Sequence, residues 1–201
     1  MPADPARSAA LAALRAGLHS TQGLRVLTGG QTGVDTIAAV AALRAGLPVH
    51  MLFPRGFRQE DGPLTDERRR ELDGAELHEL ASAEFRDRTR ACVGGSDAVV
   101  LIDPAGGDGC RETAVAAREL GRPLLVTTGP PGAGGGSGPG GRGPAEAAEV
   151  AAWLAETGAR VLMIAGCRGR LLAAAGFREL AASQIATVIF VARKRHDQLV
   201  A

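Results

Sequence analysis

The chain has 201 residues, with 23 lysines and arginines against 22 aspartates and glutamates and a formal net charge of +1. This length suits one α/β domain spanning residues 1–201, and the balanced charge argues against broad attraction to nucleic acid or membranes. Three widely spaced cysteines argue against a disulfide framework. Residues 1–23 lack an apolar stretch long enough for a signal peptide or membrane span, so a cytoplasmic location is expected.

The first predicted strand leads directly into a glycine-rich turn. Residues 8–19 predict a short surface helix, and the apolar run 24–27 predicts the strand. Residues 28–35, Thr-Gly-Gly-Gln-Thr-Gly-Val-Asp, then open an alanine-rich helical pattern at residues 34–45. The glycines and the free N–H groups of a helix start predict an anion site, and a purely structural turn is the alternative. The spacing fits neither the dinucleotide fingerprint nor a P-loop.

A polar segment follows the second predicted strand, residues 48–53. Residues 54–63 place Arg55 and Arg58 beside two carboxylates, and guanidinium groups can fork onto phosphate or carboxylate oxygens. The alternative is a solvated loop in which Arg58, Glu60 and Asp61 pair with one another. Arg88, on a helix predicted over residues 84–93, poses the same choice.

A second glycine turn follows the strand predicted at residues 98–102. Residues 103–113 contain Gly106, Gly107 and Gly109 and open a helix predicted over residues 111–120. Two such loops on neighbouring strands can clamp one nucleotide-like ligand through backbone donors. The alternative is that these glycines only shape a tight turn.

The remaining segments complete an alternation of strands and helices. Strands are predicted at residues 123–127 and 161–165 and a helix at residues 145–157, with Gly46, Gly121 and Gly158 as helix C-caps. Residues 129–144, almost all glycine and proline, predict a flexible surface insertion. For the tail, residues 176–196, a helix is preferred, although the β-branched stretch around residues 185–193 also suits a strand.

This alternation predicts a three-layer, Rossmann-like α/β sandwich with a mainly parallel sheet. The loops that leave the carboxyl ends of parallel strands share one edge of the sheet. We therefore expect the loops at Gly29, Pro54, Gly106 and Gly166 to converge there.

The cysteines and histidines leave the question of a metal open. Cys110 and Cys167 follow glycines in loops expected at the same edge, where a helix N-terminus would depress a thiol pKa and favour a nucleophile or soft metal ligand. Against this, the four histidines are scattered, and His50 lies in a predicted strand, where a structural role is expected. The sequence shows no cluster of Cys, His or carboxylate residues that marks a metal cage.

Several short segments form an ordered set along the chain: residues 29–35, 54–56, 60–63, 88–89, 96–97, 106–107 with Thr113, and 165–166 with Arg168. This set spans roughly residues 24 to 170. It resembles the "putative molybdenum carrier" family, within the Rossmann-like nucleotide-binding superfamily that includes the lysine-decarboxylase-like (LOG) phosphoribohydrolases. The resemblance implies a Rossmann-like fold with a ligand pocket at the glycine loops.

The first functional hypothesis is therefore a small-molecule binding or carrier protein. Its ligand would be a nucleotide, a nucleotide derivative or a molybdate-like oxyanion, and a homo-oligomer is compatible with it. The expected ligand-binding residues are Gly29, Gly30, Gln31, Thr32, Gly33, Asp35, Arg55, Arg58, Glu60, Asp61, Arg88, Gly106, Gly107, Gly109, Thr113, Gly166 and Arg168.

The chain also departs from the patterns that it resembles. Residues 162–170 read Leu-Met-Ile-Ala-Gly-Cys-Arg-Gly-Arg, where the family has Leu-Asn-Val-Ala-Gly-Pro-Arg-Glu-Ser. The phosphoribohydrolase signature looks like Pro-Gly-Gly-x-Gly-Thr-x-x-Glu, and here Cys110 replaces the threonine while Glu112 falls one position early. These departures put the inherited ligand in doubt.

Two alternative functions follow. A nucleoside-monophosphate phosphoribohydrolase would use Glu112 as general acid or base and Arg111 as a phosphate or ribose anchor. A non-catalytic interaction module is favoured if the loops diverge or if side chains block them.

Overall fold

The computed structural model describes residues 5–20, 22–128 and 146–201. The helices are α1 (Pro5–Leu18), α2 (Val34–Arg44), α3 (Asp66–Glu71), α4 (Phe85–Gly95), α5 (Asp108–Glu119), α6 (Ala147–Thr157), α7 (Gly169–Ala174) and α8 (Arg178–Val200). The strands are β1 (Arg25–Gly29), β2 (Val49–Phe53), β3 (Arg58–Gln59), β4 (Gly62–Pro63), β5 (Glu76–Glu79), β6 (Ala98–Asp103), β7 (Leu124–Thr128) and β8 (Val161–Gly166).

Six strands form a parallel sheet in the order β5-β2-β1-β8-β6-β7. β8 comes last along the chain, yet it pairs with β1 on one side and with β6 on the other. The expectation that the two glycine loops leave neighbouring strands is therefore wrong. The loop after β8 lies between them.

Helices cover both faces of this sheet. α2 and α6 pack against α8 on one face, whereas α1 and α5 pack against α4 on the other. The central strands β1, β2, β6 and β8 are buried almost throughout, which explains why their sequences are nearly continuous apolar runs. The predicted three-layer, Rossmann-like sandwich is confirmed. Within the described residues, no helix is both long and apolar enough to cross a membrane.

The sequence predicted the long elements and missed the short ones. All five predicted strands are present, and the ambiguous tail forms the single helix α8. Gly46, Gly121 and Gly158 have φ values of 71°, 62° and 62° at helix ends, as expected for C-caps. The missed elements are the edge strand β5, the two-residue strands β3 and β4, and the short helices α3 and α7, which are too brief to show periodicity. The insertion at residues 129–144 lies outside the described residues.

Candidate functional site

The first glycine loop packs tightly against the protein's own side chains. The α-carbon of Gly29 faces the guanidinium of Arg88 and the carboxylate of Asp35, and that of Gly30 faces the ring of Phe53. A Cβ at either glycine would overlap these groups. Close packing inside the protein is therefore one reason for glycine at both positions.

The loop after β8 closes over the start of α2. Gly33 caps this helix with a φ of 88° and lies against the backbone of residues 167–169. The N–H of Val34 donates to the carbonyl of Cys167 over 3.1 Å. Gly166 in turn lies against the carbonyl of Ile102 at the end of β6. The loop after β8 is thus in contact with the loop after β1, and part of the α2 N-terminus is occupied by the chain's own backbone.

A buried ion pair lies next to Gly29 of the first glycine loop. Arg88 Nη1 lies 3.3 Å from Asp35 Oδ2, and both side chains are buried. The backbone N–H of Gln31 donates to the same oxygen over 3.2 Å. Burial raises the pKa of Asp35 to about 6, although the charge of Arg88 opposes that shift. The structure therefore places Arg88 in the interior, paired with Asp35.

The polar segment after β2 folds back onto the first glycine loop. Gln59 Nε2 donates to the carbonyl of Gly30 over 2.7 Å, and the N–H of Glu60 donates to Gln31 Oε1 over 2.9 Å. The hydroxyl of Thr32 donates to the carboxylate of Glu60. These contacts bring the second predicted loop against the first.

Asp61 does not take part in the contacts between these two loops and pairs with Arg68 instead. Its two oxygens accept from Arg68 on α3 over 2.9 and 2.7 Å, so its partner is Arg68 and not Arg58. This pairing lowers the pKa of Asp61, chiefly through the hydrogen bond from Arg68. Arg55 is exposed, and its backbone N–H donates to the carbonyl of Ser82 over 2.8 Å.

Two arginines from different loops meet at one aromatic ring. The guanidinium carbon of Arg58 lies 5.3 Å from the ring centroid of Phe85, and that of Arg168 lies 5.6 Å from it. Arg58 is held by a 3.3 Å hydrogen bond to the carbonyl of Ala83. Among the residues that the structure describes, neither guanidinium forms an ion pair. We call Arg58, Phe85 and Arg168 the arginine–phenylalanine cluster.

Sequence reasoning singled out both arginines but not Phe85. A lone aromatic residue at the start of an amphipathic helix gives no functional signal, since most such residues pack into the core. Only the folded arrangement shows what this ring does.

The second glycine loop, which follows β6, also lies next to Arg168. Gly106 has a φ of 66°, and its N–H donates to Asp103 Oδ1 over 2.9 Å. Gly107 caps α5 and lies against Leu171 of α7, while Gly109 lies beside Arg168. The buried Thr113 donates to the carbonyl of Gly109 over 2.9 Å. Its hydroxyl is therefore used within its own helix.

The two residues expected to be catalytic lie on α5 in ion pairs. Arg86 Nε donates to Glu112 Oε1 over 2.9 Å, and Arg111 pairs with Asp108. A general acid or base at position 112 would first have to leave Arg86. The catalytic role of Glu112 and Arg111 remains a prediction.

The structure brings Cys110 and Cys167 together at the sheet edge, as the sequence predicted, and adds Asp103 to them. Cys110 Sγ lies 3.7 Å from Cys167 Sγ, and Cys167 Sγ donates to Asp103 Oδ1 over 3.1 Å. No local pattern in the sequence marked these three residues as a group, because Cys110 and Cys167 lie 57 residues apart along the chain. The hydrogen bond with Cys167, together with burial, raises the pKa of Cys110. The expected depression of that pKa by the helix N-terminus is not found, so a thiolate nucleophile loses its support.

Unpartnered polar atoms are concentrated around the first glycine loop. Within the described part of the chain, four buried atoms there lack a hydrogen-bond partner: Thr28 Oγ1, Gln31 Nε2, Glu60 Oε2 and Arg88 Nε. Buried polar groups are normally satisfied, so such a concentration marks a place where water or a ligand contributes to the structure.

Comparisons with known proteins agree with this fold. A model of the circularly permutated YpsA SLOG family matches residues 26–187. A crystal structure of a protein described as a "Putative molybdenum carrier protein" from Syntrophus aciditrophicus SB superposes with a TM-score of 0.62 at 20% identity. The match covers 85% of this chain and 98% of that one. No curated protein gives a significant match.

The strand order is consistent with a circular permutation of the chain. β8, the last strand of the chain, sits in the middle of the sheet, so a chain that began at β8 would place its strands in the order 4-3-2-1-5-6. With the family model matching more than three quarters of the sequence, this chain belongs to the circularly permutated YpsA SLOG family.

Proposed function

We propose that this protein is a small-molecule binding or carrier protein that holds an anion at the arginine–phenylalanine cluster. The anion is the phosphate of a nucleotide or nucleotide derivative, or a free oxyanion, since these groups share tetrahedral geometry and negative charge. One observation carries the proposal: two guanidinium groups from separate loops lie over one ring, and neither is paired with a carboxylate among the described residues. Guanidinium groups bind phosphate oxygens through parallel N–H donors.

Helix dipoles support binding at this cluster. Phe85 is the first residue of α4, Arg168 is the N-cap of α7, and Gly109, beside Arg168, is the second residue of α5. The N-termini of α4 and α5 therefore lie near this cluster. Each N-terminus carries a partial positive charge and unpaired N–H groups, which favour an anion.

The contact between the polar segment after β2 and the first glycine loop favours a ligand larger than an inorganic ion. Thr32 and Glu60 are partly exposed where these two segments meet, and a hydroxyl and a carboxylate suit the hydroxyl and amine groups of a nucleoside. A free oxyanion would be repelled by Glu60 and could use only the arginines. We therefore place nucleotides ahead of oxyanions. Molybdate remains a necessary probe, because the structural neighbour is described as a molybdenum carrier.

A thermal-shift experiment with four probes tests the proposal: AMP, inorganic phosphate, molybdate and the uncharged nucleoside adenosine. We expect AMP or another of the anions to raise the Tm, with a shift that grows with the logarithm of concentration, and adenosine to have little effect. If no anion shifts the Tm at any concentration, the proposal is wrong.

Three variants, each of which removes one positive charge, locate the site. Arg58→Gln and Arg168→Gln should each weaken the response to the anion roughly tenfold or more, which corresponds to the loss of a charge-assisted hydrogen bond. Arg178→Gln, which removes an exposed arginine at the start of α8, should leave it unchanged. An equal loss in all three variants would indicate nonspecific attraction only.

A further inference from the structure

We propose a divalent transition-metal site at His50, Glu76 and His78, for which Zn²⁺ is the first candidate ion. The site lies on β2 and the edge strand β5, separate from the arginine–phenylalanine cluster. It does not depend on the proposed anion-binding function.

The strand register brings the three side chains together. His50 is paired with Glu76 in the parallel ladder between β2 and β5. His78 follows Glu76 by two residues, so both project from the same face of β5. Three potential ligands therefore come from two adjacent strands of the sheet, and a rigid backbone fixes their spacing.

The distances suit one small ion. His50 Nδ1 lies 3.2 Å from His78 Nε2 and 3.4 Å from Glu76 Oε2, and His78 Nε2 lies 3.9 Å from the same oxygen. A point about 2.1 Å from all three atoms exists, which matches the bond lengths of Zn²⁺ to histidine nitrogen and carboxylate oxygen. Two histidines and one glutamate are also a known protein ligand set for zinc with an open fourth position.

The two facing nitrogens cannot both present lone pairs to each other. The two imidazole planes are inclined by only 17°, and their nearest nitrogens approach to hydrogen-bond distance. If both nitrogens presented lone pairs, they would repel each other. Either one nitrogen carries a proton that it donates to the other, or a metal ion binds both. The ion would lie off the line between the nitrogens, so each ring would turn toward Glu76 on binding.

The surroundings allow an ion to enter. Glu76 is 69% exposed and His78 is 33% exposed, so solvent reaches the fourth position. The buried Arg25 is a cationic group near His50, and it disfavours a second positive charge. The Glu76 carboxylate, which faces Arg25 as well, offsets that charge. Soft cysteine ligands are not involved, so the donor set favours Zn²⁺, Co²⁺ or Ni²⁺ over Cu⁺.

Calorimetric titration of the full chain with Zn²⁺, after removal of any histidine tag, tests the site. We expect one ion per chain, and Co²⁺ bound in the same place should show the visible absorption of a site with fewer than six ligands. His78→Gln and Glu76→Gln should each weaken Zn²⁺ binding at least tenfold. His19→Gln is the matched control, because His19 also contacts a carboxylate, that of Asp97, but lies outside the cluster.

Three results would overturn the proposal. They are no saturable Zn²⁺ binding by the wild type, unchanged binding in both His78→Gln and Glu76→Gln, and an equal loss in His19→Gln. The melting temperature of each metal-free variant shows whether it is folded. Glu76 is mostly exposed, so Glu76→Gln keeps the test available if His78→Gln fails to fold.

Discussion

Gly30 illustrates how a residue in a predicted ligand loop also serves the core. The ring of Phe53 occupies the space that a Cβ at position 30 would take. We therefore predict that Gly30→Ala lowers the free energy of unfolding by about 1–3 kcal/mol, because the ring must move out of a packed core. Chemical denaturation measures this. Gly17→Ala is the control, since nothing lies within 4 Å of that position in α1, and there alanine should be neutral or slightly stabilising. Equal stability of Gly30→Ala and wild type would contradict the packing described here.

Asp35 makes the stability depend on pH in a defined direction. Its pKa is about 6 in the folded protein, against 3.8 for an unperturbed aspartate, chiefly because burial disfavours the charge. Between about pH 4 and pH 6 the folded state holds a proton that the unfolded state has lost, so this contribution to stability decreases as pH rises. A shift of two units corresponds to about 3 kcal/mol.

Comparison with Asp35→Asn isolates this effect from other titrating groups. The variant should be less stable overall, because Arg88 loses its buried partner. However, its free energy of unfolding should lack the decrease that the wild type shows across that pH window. Denaturation at a series of pH values measures the difference between the two proteins. Parallel curves for the two would show that the Asp35 pKa is not raised.

At the scale of elements, α8 shows how packing decides between two local preferences. Residues 185–191 are rich in β-branched side chains, so the sequence also suited a strand. The helix is observed because Ala181, Ile185, Val188 and Ala192 recur at helical spacing and are all buried. A strand would have turned half of them to solvent.

This orientation of α8 predicts a contrast between two apolar residues. Ile185→Ala should destabilise the protein by about 2–5 kcal/mol, because it leaves a cavity in the core. Phe190, on the opposite side and 55% exposed, is the control, and Phe190→Ala should change the free energy of unfolding by no more than about 0.5 kcal/mol. Urea denaturation distinguishes the two. A larger effect at Phe190 than at Ile185 would mean that the helix is rotated.

For the whole molecule, the sequence predicted the layers but not the order of the strands. Apolar runs and glycine caps are local signals, so the main strands and helices were predictable. The central place of β8 depends on pairing between residues more than 60 positions apart, such as Ala98 with Leu162, and no local pattern encodes it. For the same reason the sequence could not show that the loop of Cys167 and Arg168 lies between the two glycine loops.

The candidate site was predictable to a similar degree. Arg58 and Arg168 were singled out from the segments that carry them, but their meeting at Phe85 requires the folded chain. Arg88 was expected at the ligand, and the structure pairs it with Asp35 in the interior. His78 and Glu76 lie on an edge strand too short for the sequence to reveal. Motifs thus singled out the residues of the candidate site, and tertiary contacts determine which of their side chains are buried and which face solvent.

Crystallography of the protein grown with AMP, and separately with molybdate, tests the central claim most directly. We predict density for the phosphate group, or the anomalous peak of molybdenum, within hydrogen-bond distance of the Arg58 and Arg168 guanidinium groups beside Phe85. Both crystal forms should leave these loops free of lattice contacts. An empty arginine–phenylalanine cluster in both crystals, or an anion bound only elsewhere, would contradict the account.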